Sequence, residues 1–405
     1  MATNRWLGHA AETAQVTTLT VGSSTNGHTF VTTINGKAIT YTAGSGETTS
    51  TIATAVQALL AASEIPEFAE VTWTVATNVV TGTAANPGVP FTVSLSGTGT
   101  YSASTTTANS GPNVAGVAAN WSLAALPGAG DDVLIDGGPD LLWGFDALSA
   151  ADYNSLRIKA SFTGAVGLPY RNESGDYVEY RSRFFPVDTA VPITIGEGDG
   201  TGPTRVKLAV TTALDCTVHA TGARQNDAEP VVEIKGNSSG TLSVARGDVG
   251  LASDDDTNTS TVGTATIDND AVLTVGKGAT VTTCNIKAEA TVNSYGTVTT
   301  LNIEGGEAVL FAAPTTVTAD GGTVDMRFTG TVTTVTARAQ DGDRDPPVIE
   351  CGNNPRARTF TNASFTGGAA LNDPDKTVTW TNAFTFDHAS LMRSNLGKRY
   401  SLQRT

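Results

Sequence analysis

The chain has 405 residues, which leaves room for roughly two to four domains, and 39% of its residues are hydrophobic while 16% are charged. This composition excludes a disordered chain, and 43 glycines among abundant Thr and Val favour many short strands joined by tight turns. The net charge of -15 disfavours nucleic acid and anionic membranes as partners.

A small ββαββ-like module is predicted for residues 14–100, behind a polar N-terminal arm of residues 1–13. Asn35-Gly36 is a residue pair that two-residue hairpin turns favour. A helix is predicted over 50–62, because the hydroxyls of Thr48–Ser50 can cap it and the apolar residues after them recur on one helical face. Those residues are Ile52, Val56, Leu59 and Leu60. The predicted strands are Val16–Val21, His28–Ile34, Ala38–Thr42, 70–76, 78–83 and 90–96.

A parallel β-solenoid is predicted for residues 121–345. Residues 101–120 are rich in Ser, Thr, Gly and Ala and are interpreted as a linker, and the apolar strand that follows Trp121 is interpreted as the N-terminal cap of the solenoid. A Thr-Val-Thr-like strand then recurs at intervals of 15 to 23 residues, which suits coils of two or three short strands each. The repeats begin at Gly240, Gly263, Ala279, Gly296, Thr315 and Gly330.

The repeats are typical of a scaffold. Alternate Val and Ile residues are expected to fill the solenoid, outward Thr to cover its surface, and Gly to form the corners. An outward Thr ladder has an alternative use in binding ice or carbohydrate. Residues 346–405 are predicted to form a short β-rich, mildly basic C-terminal region, which makes the whole chain mainly β with one small α+β module.

The three cysteines, Cys216, Cys284 and Cys351, are far apart and odd in number, so buried reduced thiols are expected. The first residues contain no apolar leader, and no window reaches the length of about 18 apolar residues that a membrane-spanning helix needs. Synthesis and folding in a cytoplasm are therefore expected.

Two parts of the sequence resemble β-helical proteins of bacteriophage virions. Phe30–Ala43 with the helix Thr51–Leu60 resembles a small module that recurs in virion decoration and tail proteins. Ala357–Asn362, Gly368–Pro374 and Thr377–Asn382 resemble the C-terminal end of β-helical virion-associated proteins. The resemblance implies a virion setting, as a capsid decoration or cement protein, a head fibre or a tail appendage, and assembly as a trimer or a larger symmetric set.

Carboxylates are the first candidates for chemistry, because a β-helical tailspike that cleaves glycans needs two acids about 5–9 Å apart. Asp254, Asp255 and Asp256 are interpreted as a solvated loop between coils. The alternate acids Asp341, Asp343 and Asp345 resemble the start of a calcium loop but lack its later Gly and Glu, so they are interpreted as a solvated turn. The sequence therefore predicts no enzyme, no metal and no cofactor.

The leading interpretation is a decoration, cement or head-fibre protein that binds the major capsid protein or other virion proteins as a homotrimer. A host-binding tail fibre or tailspike that recognises surface glycan is the alternative. A secreted adhesin is a weaker third, disfavoured by the missing leader. The candidate attachment residues are Trp6 and Leu7 in the N-terminal arm, and Arg393, Lys398 and Arg399 in the basic C-terminal region.

Overall fold

The computed structural model shows a mainly β protein with a small α+β module and a long parallel β-solenoid. It describes residues 2–34, 36–148, 153–172, 174–188, 190–225, 229–339, 345–387 and 389–394. Short 3₁₀ turns lie at Ala118–Asn120 and Phe145–Leu148.

The module consists of two antiparallel sheets with a helix packed against them. The first strand of the chain, β1 (Thr3–Arg5), belongs to the solenoid. The module contains β2 (Val16–Val21), β3 (Thr29–Ile34), β4 (Lys37–Thr42), α1 (Thr49–Ala61), α2 (Pro66–Ala69), β5 (Val71–Ala76), β6 (Val79–Ala84), β7 (Ser94–Ser96) and β8 (Tyr101–Thr107). One sheet has the order β5-β6-β2-β8 and the other has the order β4-β3-β7.

The predicted helix and hairpin are confirmed. The Thr48 hydroxyl accepts a hydrogen bond from the backbone N–H of Thr51, and the Thr51 hydroxyl accepts one from the backbone N–H of Thr48, so the helix starts with a reciprocal cap. Its buried face includes Ile52, Val56 and Leu60. Leu59 is 42% exposed, because it lies at the margin of the apolar stripe rather than on it.

The predicted linker over 101–120 is wrong. Its first part is strand β8, which pairs antiparallel with β2 along the edge of the module sheet. A polar sequence can form this strand because the ladder uses backbone groups and the side chains between its two ends are exposed. The second part is packed as well: buried Asn120 donates hydrogen bonds from its amide to the carbonyls of Gly111 and Val114.

The solenoid has two parallel sheets, and each coil from residue 192 onward contributes to both. Sheet 1 runs in the order β1, β9 (Asp132–Ile135), β10 (Ser155–Lys159), β13 (Pro192–Glu197), β15 (Ala213–Val218), β17 (Ser239–Val244), β19 (Ser260–Ile267), β21 (Ala279–Ile286), β23 (Thr297–Ile303), β25 (Thr316–Ala319), β27 (Gly330–Arg338), β29 (Arg358–Thr366) and β31 (Val378–Trp380), with β32 (Thr385–Phe386) also on β29. Sheet 2 runs in the order β11 (Ala165–Val166), β14 (Arg205–Val210), β16 (Val232–Lys235), β18 (Asp248–Leu251), β20 (Val272–Val275), β22 (Thr291–Ser294), β24 (Glu307–Leu310), β26 (Thr323–Met326), β28 (Val348–Glu350), β30 (Ala370–Asp373) and β33 (Leu391–Ser394), with β12 (Phe185–Val187) also on β14.

Apolar side chains from successive coils stack in columns inside the solenoid. The members of one sheet 1 column are register partners, and each has almost no exposed surface; they are Ile193, Cys216, Leu242, Ala265, Cys284, Leu301, Val317 and Val335. Burial of a Val, Leu or Ile side chain contributes about 1.5–3 kcal/mol, so the stacked columns form the main stabilising core.

All three cysteines are buried and unpaired, as predicted. Burial raises the pKa of each thiol to about 12. Cys216 and Cys284 occupy positions of the inward column, where a thiol packs as a small apolar side chain.

The repeated strands pair in a different register from the one that the sequence repeats predict. Thr241 lies beside Thr264 as expected, but Thr264 lies beside Thr283 and not beside Thr280. The long strands bend, so two inward residues such as Val281 and Cys284 are three positions apart. Because similar Thr-rich segments lie on both sides of the bend, sequence similarity alone selects the wrong partner by three residues.

The predicted boundaries at both ends of the solenoid are also wrong. β1 of the N-terminal arm pairs parallel with β9, and β28 to β33 of the C-terminal region continue both sheets. The change in composition near Pro346 therefore marks a corner between coils rather than the end of the stack.

Candidate functional site

The proposed N-terminal attachment residue Trp6 is a core residue. It is 1% exposed, its ring centroid lies 5.1 Å from that of Trp121 in an edge-to-face contact, and its indole N–H donates to the Pro139 carbonyl at 2.8 Å. Trp6 therefore fills the interior of the first coil, and the prediction that it is an attachment residue is wrong. Leu7 beside it is half-buried.

The basic attachment candidates fall at the end of the described chain. Arg393 belongs to β33, the last strand of sheet 2. Lys398 and Arg399 lie outside the described residues, as do Asp341 and Asp343 of the predicted acidic turn. The roles predicted for these residues stay predictions.

Asp254 is not part of a solvated loop. Its side chain has no exposed surface, and its Oδ2 accepts hydrogen bonds from Arg183 at 2.8 Å and from Lys207 at 3.1 Å. Burial opposes ionisation of Asp254, but the Lys207 and Arg183 charges outweigh it and hold the pKa below its ordinary value. The acid instead ties the segment that carries Arg183 to the outer face of sheet 2.

Glu233 is a second buried carboxyl beside this ion cluster. It has no exposed surface, and its two oxygens accept hydrogen bonds from the backbone N–H and the hydroxyl of Ser253, both at 2.6 Å. Burial, together with the nearby charge of Asp254, raises the pKa of Glu233 to about 7. Carboxyls with pKa values pushed apart are typical of acid-base catalysis, but neither side chain reaches solvent here.

A groove of about 400 Å³ opens on the outer face of sheet 2. Thr274 of β20 and Asn293 of β22 are register partners at its base, and they face outward because their strand neighbours are buried. Ser253, Asp256 and Lys277 also line it. Among the described residues, the side chains of Thr274 and Asn293 have no hydrogen-bond partner, so both present polar groups to the groove.

Tyr295 lines one end of this groove, and a second aromatic ring, Phe311, stacks against it. Tyr295 and Phe311 are stacked with ring centroids 4.6 Å apart and planes 9° apart, and they are 47% and 37% exposed. They follow neighbouring strands at the same register, because the backbone N–H of Phe311 donates to the Ser294 carbonyl. The Arg327 guanidinium lies 5.8 Å from the Phe311 ring centroid in the next coil.

The sequence contained a signal for this pair. Tyr295 and Phe311 each follow a short strand, and their spacing of 16 residues equals that of the register partners Leu301 and Val317. Because this spacing is the length of one coil, the two rings lie side by side on successive coils. The repeat alignment concealed this, because it compared Thr-rich strands of sheet 1 and left sheet 2 out.

A scan against models of protein families and a search of curated proteins both return no match for the chain. Neither α1 nor α2, the α-helices of the described part of the chain, is long and apolar enough to cross a membrane.

Proposed function

We propose that the protein is a structural component of a bacteriophage virion, a capsid decoration, cement or head-fibre protein that acts by multivalent adhesion to the shell. The observation that carries the proposal is the uninterrupted stack of parallel strands joined to a compact module. Sheet 1 has 14 strands. At about 4.8 Å per strand, its stack extends over about 60 Å, which suits a part that projects from or braces a shell.

The contact between module and solenoid supports this role. Arg181, in a segment of the solenoid, is 7% exposed and donates to the Pro90 carbonyl of the module at 3.0 Å. It also pairs with Glu70 of the module at 3.4 Å and with Glu179 at 2.7 Å. The guanidinium lies 4.5 Å from the Trp143 ring centroid. A buried arginine with charge-assisted hydrogen bonds of this kind links the module directly to the solenoid.

Adhesion of this kind needs no reactive side chain. Each copy would bury about 1,000 Å² or more against the major capsid protein or another virion protein. A homotrimer would multiply the contact, since linked sites bind far more tightly than single ones. The resemblance of Phe30–Ala43 and of the C-terminal segments to virion proteins favours the same setting.

Cryo-EM of intact phage particles that carry this chain tests the proposal. We expect density for the module and solenoid on the capsid lattice in symmetric sets, and light scattering of the purified protein is expected to give three times the monomer mass. Density confined to the tail would overturn the decoration reading.

A host-binding tail fibre or tailspike is the second candidate, and the groove beside Tyr295 favours it. If the protein cleaved host polysaccharide, incubation would release new reducing ends. We expect no release of reducing ends, because Asp254 is held in buried ion pairs. Release by the wild type that is lost in Asp254→Asn or Asp256→Asn would contradict the non-enzymatic proposal.

A further inference from the structure

We propose that the groove on the outer face of sheet 2 binds a neutral glycan, with one sugar ring stacked on Tyr295. This inference goes beyond the proposed virion role, because it concerns a property of the isolated chain. Binding would hold or fail wherever the protein is located.

The aromatic pair is the first reason. Five large apolar residues are strongly exposed in the described part of the chain, and Tyr295 and Phe311 are the two among them that stack. Phe311 covers one face of the Tyr295 ring. The tyrosine is still 47% exposed and lines the groove. Its exposed surface is therefore available to a flat apolar surface of a sugar ring, as exposed aromatics are in binding sites.

The polar floor is the second reason. The Thr274 hydroxyl and the Asn293 amide offer donors and acceptors side by side across neighbouring strands. Asp256 at the rim adds a carboxylate that can accept from sugar hydroxyls. A sugar combines an apolar ring face with a rim of hydroxyls, and this groove combines an aromatic wall with such groups.

The charges around the groove select a neutral ligand. The two basic side chains that line the groove are each paired with an acid, Lys277 with Asp256 and Arg224 with Asp248 at 2.5 Å, and Arg327 beyond Phe311 pairs with Asp325 at 2.7 Å. No cation is left unpaired in this set to attract an acidic sugar. The Thr ladder on sheet 1 is the other surface that the sequence linked to carbohydrate. Its register partners Thr264, Thr283 and Thr300 offer hydroxyl groups without an aromatic ring among them on which a sugar could stack.

The test uses the full chain on an array of neutral hexose and N-acetylhexosamine oligosaccharides, printed beside oligosaccharides that contain uronic or sialic acid. Titration calorimetry on the best neutral oligosaccharide then compares variants. Tyr295→Ala is expected to weaken binding at least about tenfold, and Asn293→Ala about fivefold, as for residues at the centre of an interface. Tyr295→Phe retains the ring and is expected to stay within about threefold.

Leu123→Ala is the matched control, because Leu123 is also 47% exposed but does not line the groove. It is expected to bind like the wild type, and thermal melts confirm that each variant is folded. Three results would overturn the proposal: no binding to any neutral oligosaccharide, equal binding by the wild type and by Tyr295→Ala and Asn293→Ala, or binding to acidic oligosaccharides alone.

Discussion

Replacing Glu233 by glutamine is expected to make the protein more stable above neutral pH while changing little in acid. Glutamine keeps the shape of the side chain. Its amide oxygen can accept from the Ser253 N–H, and its NH₂ group can donate to the Ser253 hydroxyl, so both hydrogen bonds of the buried carboxyl can be replaced. The substitution therefore removes only the free-energy cost of ionising a carboxyl that is buried away from solvent.

The magnitude follows from the pKa. Burial raises the pKa of Glu233 from 4.5 to about 7, so between these values the folded state holds a proton that the unfolded state has released. The stabilising effect of that proton is complete below pH 4.5 and is lost as the pH rises to about 7. The difference in pKa corresponds to about 3 kcal/mol. The stability gap between Glu233→Gln and the wild type should therefore grow by about that amount between pH 4.5 and pH 8.

The assay is urea unfolding of both proteins at pH 4.5, 6 and 8, followed by tryptophan fluorescence and circular dichroism. Glu307→Gln changes the same charge at an exposed position of sheet 2 and controls for net charge. A gap between Glu233→Gln and wild type that is the same at pH 4.5 and pH 8 would refute the reasoning that desolvation governs this carboxyl.

Three further substitutions test the packing. Gly240 has φ +107°, and a Cβ atom there would lie 1.9 Å from the Leu214 carbonyl oxygen, so Gly240→Ala is expected to lower the free energy of unfolding by about 2 kcal/mol or more in urea titrations. Leu301→Ala leaves a cavity inside the solenoid and is expected to cost about 2–5 kcal/mol by the same measurement. Trp6→Ala is expected to cost about 3–5 kcal/mol and to lower the melting temperature, because the ring fills the first coil.

Substitutions on the outer surface serve as controls for these three. Thr300→Ser on the outward face of sheet 1 and Leu123→Ala are expected to change stability by less than about 0.5 kcal/mol. A Trp6→Ala variant that melts like the wild type would contradict the role of this ring in filling the first coil.

Local patterns in the sequence identified the elements that local physics dictates. The hydroxyl cap at Thr48 and the apolar spacing after it locate α1 to within one residue at each end. Asn35-Gly36 identifies the hairpin of β3 and β4, and the recurring Thr-Val-Thr strands predict a parallel solenoid. Each of these signals depends on residues close together in the chain.

The candidate site could be predicted only in part. Tyr295 and Phe311 are one coil apart in the sequence. Which strands pair, however, depends on bends and insertions that change the length of a coil. The burial of Asp254 was not visible, because it is covered by the segment of Arg183, 71 residues away in sequence. A run of three acids in a sequence is typical of a solvated loop. Only the tertiary structure shows that a distant cation covers one of them.

The sequence by itself determined most strands of the module, the recurring strands of the solenoid, the helix α1 and the apolar interior of the solenoid, since period and composition are local properties. Tertiary structure decided the three-residue register of the Thr-rich strands, the burial of Trp6 and Glu233, and the continuation of the solenoid to Ser394. The physical reason is that solvent exclusion and strand pairing depend on which distant segment arrives at a surface, and similar Thr-rich strands offer several partners of nearly equal quality.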